Sequence, residues 1–372
     1  MSFKFRSMLT SASMLFTLAM AAPLAHAADA IQMGAVLSLT GANATVGEDV
    51  RRAVKLAEEK VNADGGVLGK PFQVIVEDSG GNPTTAINAA RKLVSVDKVP
   101  VVIGEYSSGI SIPMGQYLVK EGVVHINIAS TSVKIRDLGA SSFNLIGLED
   151  KGNKFSSQDA WDLGFRNVAI IAPNNAYGQG VAHGFRAEFE KLGGKIVNET
   201  LYTAGQSTYR RELQQIAKAK PDAYIYTAYG QESAVLNREA LELGLREQPW
   251  YAILLSMSLS DTPANIAQGQ LGMEVGSFVG PAGKAYADAF AAKYKEGMKT
   301  SYTGYAYDAV LMTAKAIQQA GSTEPAAVQA ALAKVGKGYE GVTGAIAFDD
   351  GRQRLDPPYA RLKYDGGKVV PR

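Results

Sequence analysis

The sequence predicts an α/β protein built as two Rossmann-like, doubly wound lobes. Three observations carry this reading. From residue 31 onward short β-branched runs alternate with segments of helical period, the alternation restarts near residue 150, and a run of three helices follows the second series before the chain ends in strands. Strands that alternate with helices pair in parallel, because a parallel pair needs a long crossover and a helix supplies it. Two such series of similar length make two lobes.

Residues 31–38 read as the first strand. The helix after it is marked by Val50, Ala53, Val54, Ala57 and Val61, spaced three and four apart, with Glu48, Arg51, Arg52, Lys55, Glu58 and Glu59 on the other face. Turn residues 62–69 close it. A strand over 70–77, a helix over 84–96, a short buried strand over 101–103, a helix over 110–121 and a strand over 123–126 complete the first series. The second series runs as helix 150–163, strand 167–172, helix 181–192, strand 195–201, helix 209–219, strand 223–227, helix 232–243 and strand 251–255. Helices over 284–295, 305–319 and 326–335 follow with little strand between them, and 341–348 and 359–364 read as closing strands.

Residues 1–27 carry Lys4 and Arg6, then an apolar run from Met8 to Ala22, then Ala25-His26-Ala27. This is the plan of a secretory signal peptide, and removal after Ala27 is the expectation. The run is short for a membrane span, and no later stretch approaches the roughly 20 apolar residues that a span requires. Loss of this leader changes 38 basic against 36 acidic residues to 36 against 36. A neutral chain argues against nucleic acid or an anionic membrane surface as partner. Cysteine is absent, which excludes disulfides, thiol nucleophiles, thiolate metal sites and a lipid on an N-terminal cysteine. Only His125 and His183 remain as imidazoles, which excludes a histidine-rich metal site, and no cofactor is expected.

The candidate site lies where the buried strand Val101-Val102-Ile103 runs through Gly104-Glu105-Tyr106 into Ser107, Ser108 and Gly109. Ligands of open α/β sheets bind beyond the carboxyl ends of the strands, where helix N-termini offer free N–H groups. Ser107 and Ser108 stand where an anion can be held, although simple N-capping would explain them equally. The next strand ends similarly in Asn127-Ile128-Ala129-Ser130-Thr131-Ser132. Two strand ends rich in hydroxyls suit a carboxylate, which accepts several hydrogen bonds.

The chain resembles the periplasmic leucine/isoleucine/valine-binding protein family, the type I binding proteins of branched-chain amino acid ABC importers. The resemblance spans nearly the whole chain after the leader. It rests on the run from Gly34 to Gly41, the Asn62 to Gly69 turn, Val102-Ile103-Gly104 with Ser107-Ser108, and Asn175 to Gly180. It implies that Ser108, Ala129 and Thr131 hold a ligand carboxylate, that Tyr177 and Tyr229 close over it from the second lobe, and that Val46 occupies a loop position where an aromatic is common. Tyr106 is a further candidate wall. It also implies a three-segment hinge with crossings near 148, 280 and 349, dividing the chain into a first lobe of 28–148 and 281–348 and a second of 149–280 and 349–372.

One departure bears on the ligand. Relatives that bind amino acids place an acid after the strand of residues 251–255 to pair with the ammonium, and here that position is Ser256. An ammonium desolvated without a carboxylate partner is costly. The sequence therefore points to an aromatic or keto acid, with an aliphatic amino acid as the other option, and leaves Glu105 or Asp261 as possible substitutes for the missing acid. Catalysis is not expected. Ser108 lacks a Gly-x-Ser-x-Gly frame, and Gly65 to Lys70 is followed by Pro71 where a phosphate loop needs Ser or Thr. The expected partners are a small carboxylate and the permease and ATPase subunits of an importer, with the binding protein itself a periplasmic monomer. A ligand sensor of the same fold is the alternative.

Overall fold

The computed structural model describes Met1 and residues 30–372. The expected leader, with its cleavage site, lies outside the described residues. Among them no helix is long and apolar enough to cross a membrane.

The first lobe is a five-stranded parallel sheet. β1 (Ile31–Leu37), β2 (Phe72–Asp78), β3 (Val101–Gly104), β4 (Val124–Asn127) and β5 (Ser142–Asn144) lie in the order β2-β1-β3-β4-β5. β3 and β4 are buried at every residue, because helices cover both faces. α1 (Ala44–Ala63) buries Val50, Ala53, Val54, Ala57 and Val61, the stripe its sequence spacing predicts, and also Val46, which is expected in a loop and instead stands in the helix's first turn. α2 (Pro83–Ser95) starts at Asn82, whose side chain accepts from the Thr84 and Thr85 N–H groups, with Pro83 at the first helical position. α3 (Ser108–Lys120) completes the crossovers.

The second lobe repeats this order. After α4 (Glu149–Asp162), the parallel strands β6 (Asn167–Pro173), β7 (Lys195–Tyr202), β8 (Ala223–Tyr226), β9 (Trp250–Ile253) and β10 (Leu271–Val275) stand as β7-β6-β8-β9-β10. They are linked by α5 (Ala176–Lys191), α6 (Arg210–Lys218), α7 (Gly230–Glu242) and two short helices, α8 (Leu255–Leu259) and α9 (Ala264–Ala267). The chain then runs through α10 (Gly280–Tyr294), α11 (Tyr302–Ala320) and α12 (Pro325–Val335), with α11 packed on α1 of the first lobe. A hairpin, β11 (Lys337–Gly341) and β12 (Gly344–Ala347), follows, and β13 (Tyr359–Asp365) and β14 (Lys368–Pro371) extend the second sheet antiparallel beyond β10.

In both lobes the strand order reverses beside the first strand, between β1 and β3 and between β6 and β8. Crevices at such reversals, beyond the carboxyl ends of the strands, are where ligands of open sheets bind. Three expectations need correction. The stretch 341–348 is not one strand from its start: it holds the end of β11, a turn at Val342 and Thr343, whose N–H groups Asp308 accepts at 2.9 and 3.0 Å, and then β12. The strand of residues 251–255 stops at Ile253, and Leu255 already begins a helix. β10 lies in a region read without a strand, because Gly272 and the buried Glu274 interrupt its apolar pattern.

Candidate functional site

The first lobe's contribution begins at Gly104. Its φ is +124°, and a Cβ there would sit 2.2 Å from the Val36 carbonyl oxygen, so glycine is required where β3 passes β1. Glu105 then turns inward and is fully buried. Its Oε1 accepts from Ser79 Oγ at 2.7 Å and from Ser38 Oγ, and its Oε2 accepts from the Ser107 N–H at 2.9 Å. Burial raises its pKa. Glu105 is thus an internal clamp across the ends of β1, β2 and β3. It is not a solvated residue, and both its oxygens are already engaged.

Ser107 precedes α3 but its side chain makes no cap hydrogen bond. Ser108 Oγ accepts from the Ser132 N–H at 3.2 Å, which leaves its own proton free to donate elsewhere. After β4 the Asn127 side chain fixes the loop: Oδ1 accepts from the Ala129 and Ser130 N–H groups, and Nδ2 donates to the Ser130 carbonyl at 2.7 Å. The Ala129 N–H is therefore partly used inside the protein. Thr131 Oγ1 has no partner among the described residues.

The second lobe brings two tyrosines from helix starts. Asn175 caps α5 through its Oδ1 on the Gly178 N–H at 3.0 Å, and Tyr177 in the same turn bonds Thr227 Oγ1 at 2.8 Å. Tyr229 precedes α7, where Glu232 Oε1 accepts its N–H at 3.1 Å. Its hydroxyl reaches no partner, although Ser107 and Asn175 lie near it. Tyr106 packs edge-on against Tyr229, with ring centroids 5.4 Å apart, and against Tyr302 at 5.5 Å; Tyr229 packs on Tyr177 at 5.6 Å. The Tyr106 hydroxyl is also partnerless.

Six of the candidate residues, Tyr106, Ser108, Ala129, Thr131, Tyr177 and Tyr229, line one small chamber between the lobes. The other three do not. Val46 is packed in the core of the first lobe, Ser107 is buried without lining the chamber, and Ser256 is bound to Glu274 through its N–H and Oγ at 2.8 and 2.5 Å. Asp261 also lies off the chamber, accepting from Thr45 Oγ1 at 2.6 Å across the lobes. Sequence reasoning missed Ser130, Leu254, Met257 and Tyr302. Leu254, at the end of β9 with φ +63°, could have been found from the strand-end rule, whereas nothing local marks Tyr302, which arrives from α11 and donates to Met257 Sδ.

A second chamber adjoins the first and shares Thr131, Tyr177 and Leu254 with it. Its walls are largely apolar, including Val181, Ile253, Met273 and Val275, and Glu149, Asn153 and Tyr359 add polar groups. Burial pushes the Glu149 carboxyl up to about 7, opposed by the Val133 N–H it accepts. His125 is buried between Ser142 Oγ and the Gly104 carbonyl, and burial pushes its pKa down to about 4, so it is a neutral structural residue rather than a base.

Comparison with known proteins agrees with the two-lobed fold. Residues 30–368 match the sequence pattern of the family described as periplasmic binding protein. Over 358 residues the chain is 28% identical to the Leu/Ile/Val-binding protein BraC3 of Rhizobium johnstonii, covering 94% of this chain and 95% of that one. It superposes with TM-score 0.83 on the branched-chain amino acid transporter substrate-binding protein LivJ of Streptococcus pneumoniae, solved with isoleucine, at 24% identity over 91% of this chain and 97% of that one. It superposes equally, with TM-score 0.83, on an ABC transporter solute-binding protein of R. palustris solved with benzoate, at 18% identity over 92% and 95%. These relatives bind solutes and are not enzymes. The chain belongs to the type I periplasmic binding protein family, in the group that includes the Leu/Ile/Val-binding proteins.

Proposed function

We propose that this protein is the exported substrate-binding component of an ABC importer, and that its ligand is a small carboxylate without an α-ammonium, such as an aromatic or keto acid. The observation that carries the ligand class is the make-up of the first chamber. Three hydroxyls there, on Tyr106, Thr131 and Tyr229, are buried without partners, the Ser108 proton is free, and no carboxylate lines it among the described residues. A carboxylate offers several acceptor positions to such donors. An ammonium would be left beside them without a countercharge, at a cost of several kcal/mol. An aliphatic amino acid is the second reading, favoured by the similarity to BraC3 and to LivJ with isoleucine.

Entry requires the lobes to part. The six candidate residues at the chamber are each at most 7% exposed, and contacts such as Thr45 to Asp261 and Ser301 Oγ to Glu274 at 2.9 Å hold the lobes together. Closure about segments near residues 148, 280 and 349 would then bury the ligand, and the closed form is what permease and ATPase subunits would select. The protein acts as a monomer in this reading. Matched pairs test it in one calorimetric assay: phenylpyruvate should bind more tightly than phenylalanine, and the branched keto acid more tightly than leucine. Amino acids that bind as well as their amine-free partners would overturn the ligand class. Export is tested separately. The protein recovered from the periplasm should have the intact mass of a chain beginning at Ala28, and retention of Met8 to Ala22 would contradict it.

A further inference from the structure

The second chamber has the opposite hydrogen-bonding character to the first. Glu149 is 6% exposed, and its Oε1 accepts the Val133 N–H at 3.1 Å while its Oε2 has no partner. The nearby Ser132 hydroxyl, itself partnerless, favours the ionised carboxyl without reaching hydrogen-bond distance. Asn153 donates Nδ2 to the Gly180 carbonyl at 3.1 Å, which fixes the orientation of its amide and leaves Oδ1 unpartnered. Two buried, unpartnered acceptors therefore belong to residues that line this chamber, whose other walls are apolar apart from Thr131 and Tyr177, and the Tyr359 hydroxyl is a third polar atom without a partner there. Buried polar groups are nearly always satisfied, so each such atom calls for a reason.

The packing of α4 on α5 shows that the place is built for these side chains. Glu149 and Asn153 are four residues apart on α4 and share a face. Opposite them α5 carries glycines at the same interval. A Cβ on Gly180 would lie 2.1 Å from Glu149 Oε1, and one on Gly184 would lie 2.0 Å from Asn153 Nδ2. Any larger residue at either position would displace the side chain it faces.

We propose that the ligand extends from the first chamber past Tyr177 and Leu254 into the second, and carries at that end a hydrogen-bond donor, a hydroxyl or an amine, which Glu149 and Asn153 accept. Glu149 is then a specificity-determining residue, selecting acids with a remote donor over plain apolar ones. The raised pKa of its carboxyl fits a neutral donor and disfavours a second anionic group at that end. The inference rests on the carboxylate reading of the first chamber.

Calorimetry on the full-length mature protein tests it with benzoate, phenylacetate and 3-phenylpropionate, each with a para-amino or a near-isosteric para-methyl group. For the chain length that binds best, the amino acid of the pair, para-substituted, should bind at least about tenfold more tightly than the methyl one, the scale of a hydrogen bond to a charged or strongly polar group. In Glu149→Gln the Val133 N–H still finds an acceptor, but the amide NH2 replaces Oε2. The amino preference should fall below about threefold while affinity for the methyl acid changes by less than about twofold. Equal binding of the two acids by the unaltered protein overturns the proposal without needing the variant, and so does a variant that weakens both acids alike. If none of the acids binds, the carboxylate reading itself fails, and this inference with it.

Discussion

Arg354→Met is expected to lower the unfolding free energy by about 3 to 5 kcal/mol, the scale for removing one side of a buried hydrogen-bond network. Arg354 is 2% exposed and lies on the passage from β12 to β13. Its Nη1 donates to the Leu145 carbonyl at 3.3 Å and to Thr343 Oγ1 at 3.1 Å, and its Nη2 donates to the Thr343 and Ala345 carbonyls at 2.7 and 2.8 Å. Leu145 lies where the chain leaves β5 for α4, so one guanidinium ties two of the passages between the sheets to the hairpin of β11 and β12. Asp308 supports the other side, accepting the Thr343 hydroxyl at 2.6 Å. Methionine fills much of the volume and leaves these acceptors without donors, each a penalty of about 1 to 3 kcal/mol before relaxation. Urea denaturation should show a lower midpoint with an unchanged slope. Arg354→Lys should recover only part of the loss, because an ammonium cannot reproduce the planar fork. A loss below about 1 kcal/mol in the methionine variant would mean that water or a shifted backbone replaces the guanidinium.

Arg354 also shows where sequence reading stops. The alternation of β-branched runs with helical stripes was enough for the two lobes, because parallel strands buried on both faces must be apolar and their covering helices must be amphipathic. The first-lobe candidates were legible for the same reason: the residues proposed to hold the ligand follow their strands by only a few positions, as Ser108 follows β3 and Thr131 follows β4. What comes from far along the chain was not. Tyr302, Glu149 and Arg354 gain their importance from neighbours distant in sequence, and each looks locally like an ordinary helix-start or loop residue. The place of Glu105 stayed open because its partners Ser38 and Ser79 sit at the ends of two other strands, and no local pattern announces a carboxylate held inside by hydroxyls. The strand β10 was hidden by Glu274, which is buried only because Ser256 and Ser301 bond it.

Thr131→Val should separate binding from stability. The Thr131 side chain is 5% exposed, and its hydroxyl has no partner, so the unliganded protein already bears the cost of burying it. Valine keeps the β-branched shape and removes that cost, while the backbone carbonyl still accepts the Glu149 N–H at 2.6 Å. The unliganded variant should therefore be as stable as the parent or more stable by up to about 1 kcal/mol. Its affinity for the ligand should nevertheless fall about ten- to a hundredfold, because a hydrogen bond to a charged carboxylate contributes about 1.5 to 3 kcal/mol. Ser108→Ala should behave differently. Ser108 Oγ accepts the Ser132 N–H at 3.2 Å, so its removal leaves a buried donor unpaired and should lower both stability and affinity. Melting curves recorded with and without ligand give both quantities, since a ligand that binds only the folded state raises the melting temperature according to its affinity. If Thr131→Val binds as tightly as the parent, the Thr131 hydroxyl takes no part in holding the anion, and the carboxylate must rest on Ser108 and the tyrosines instead.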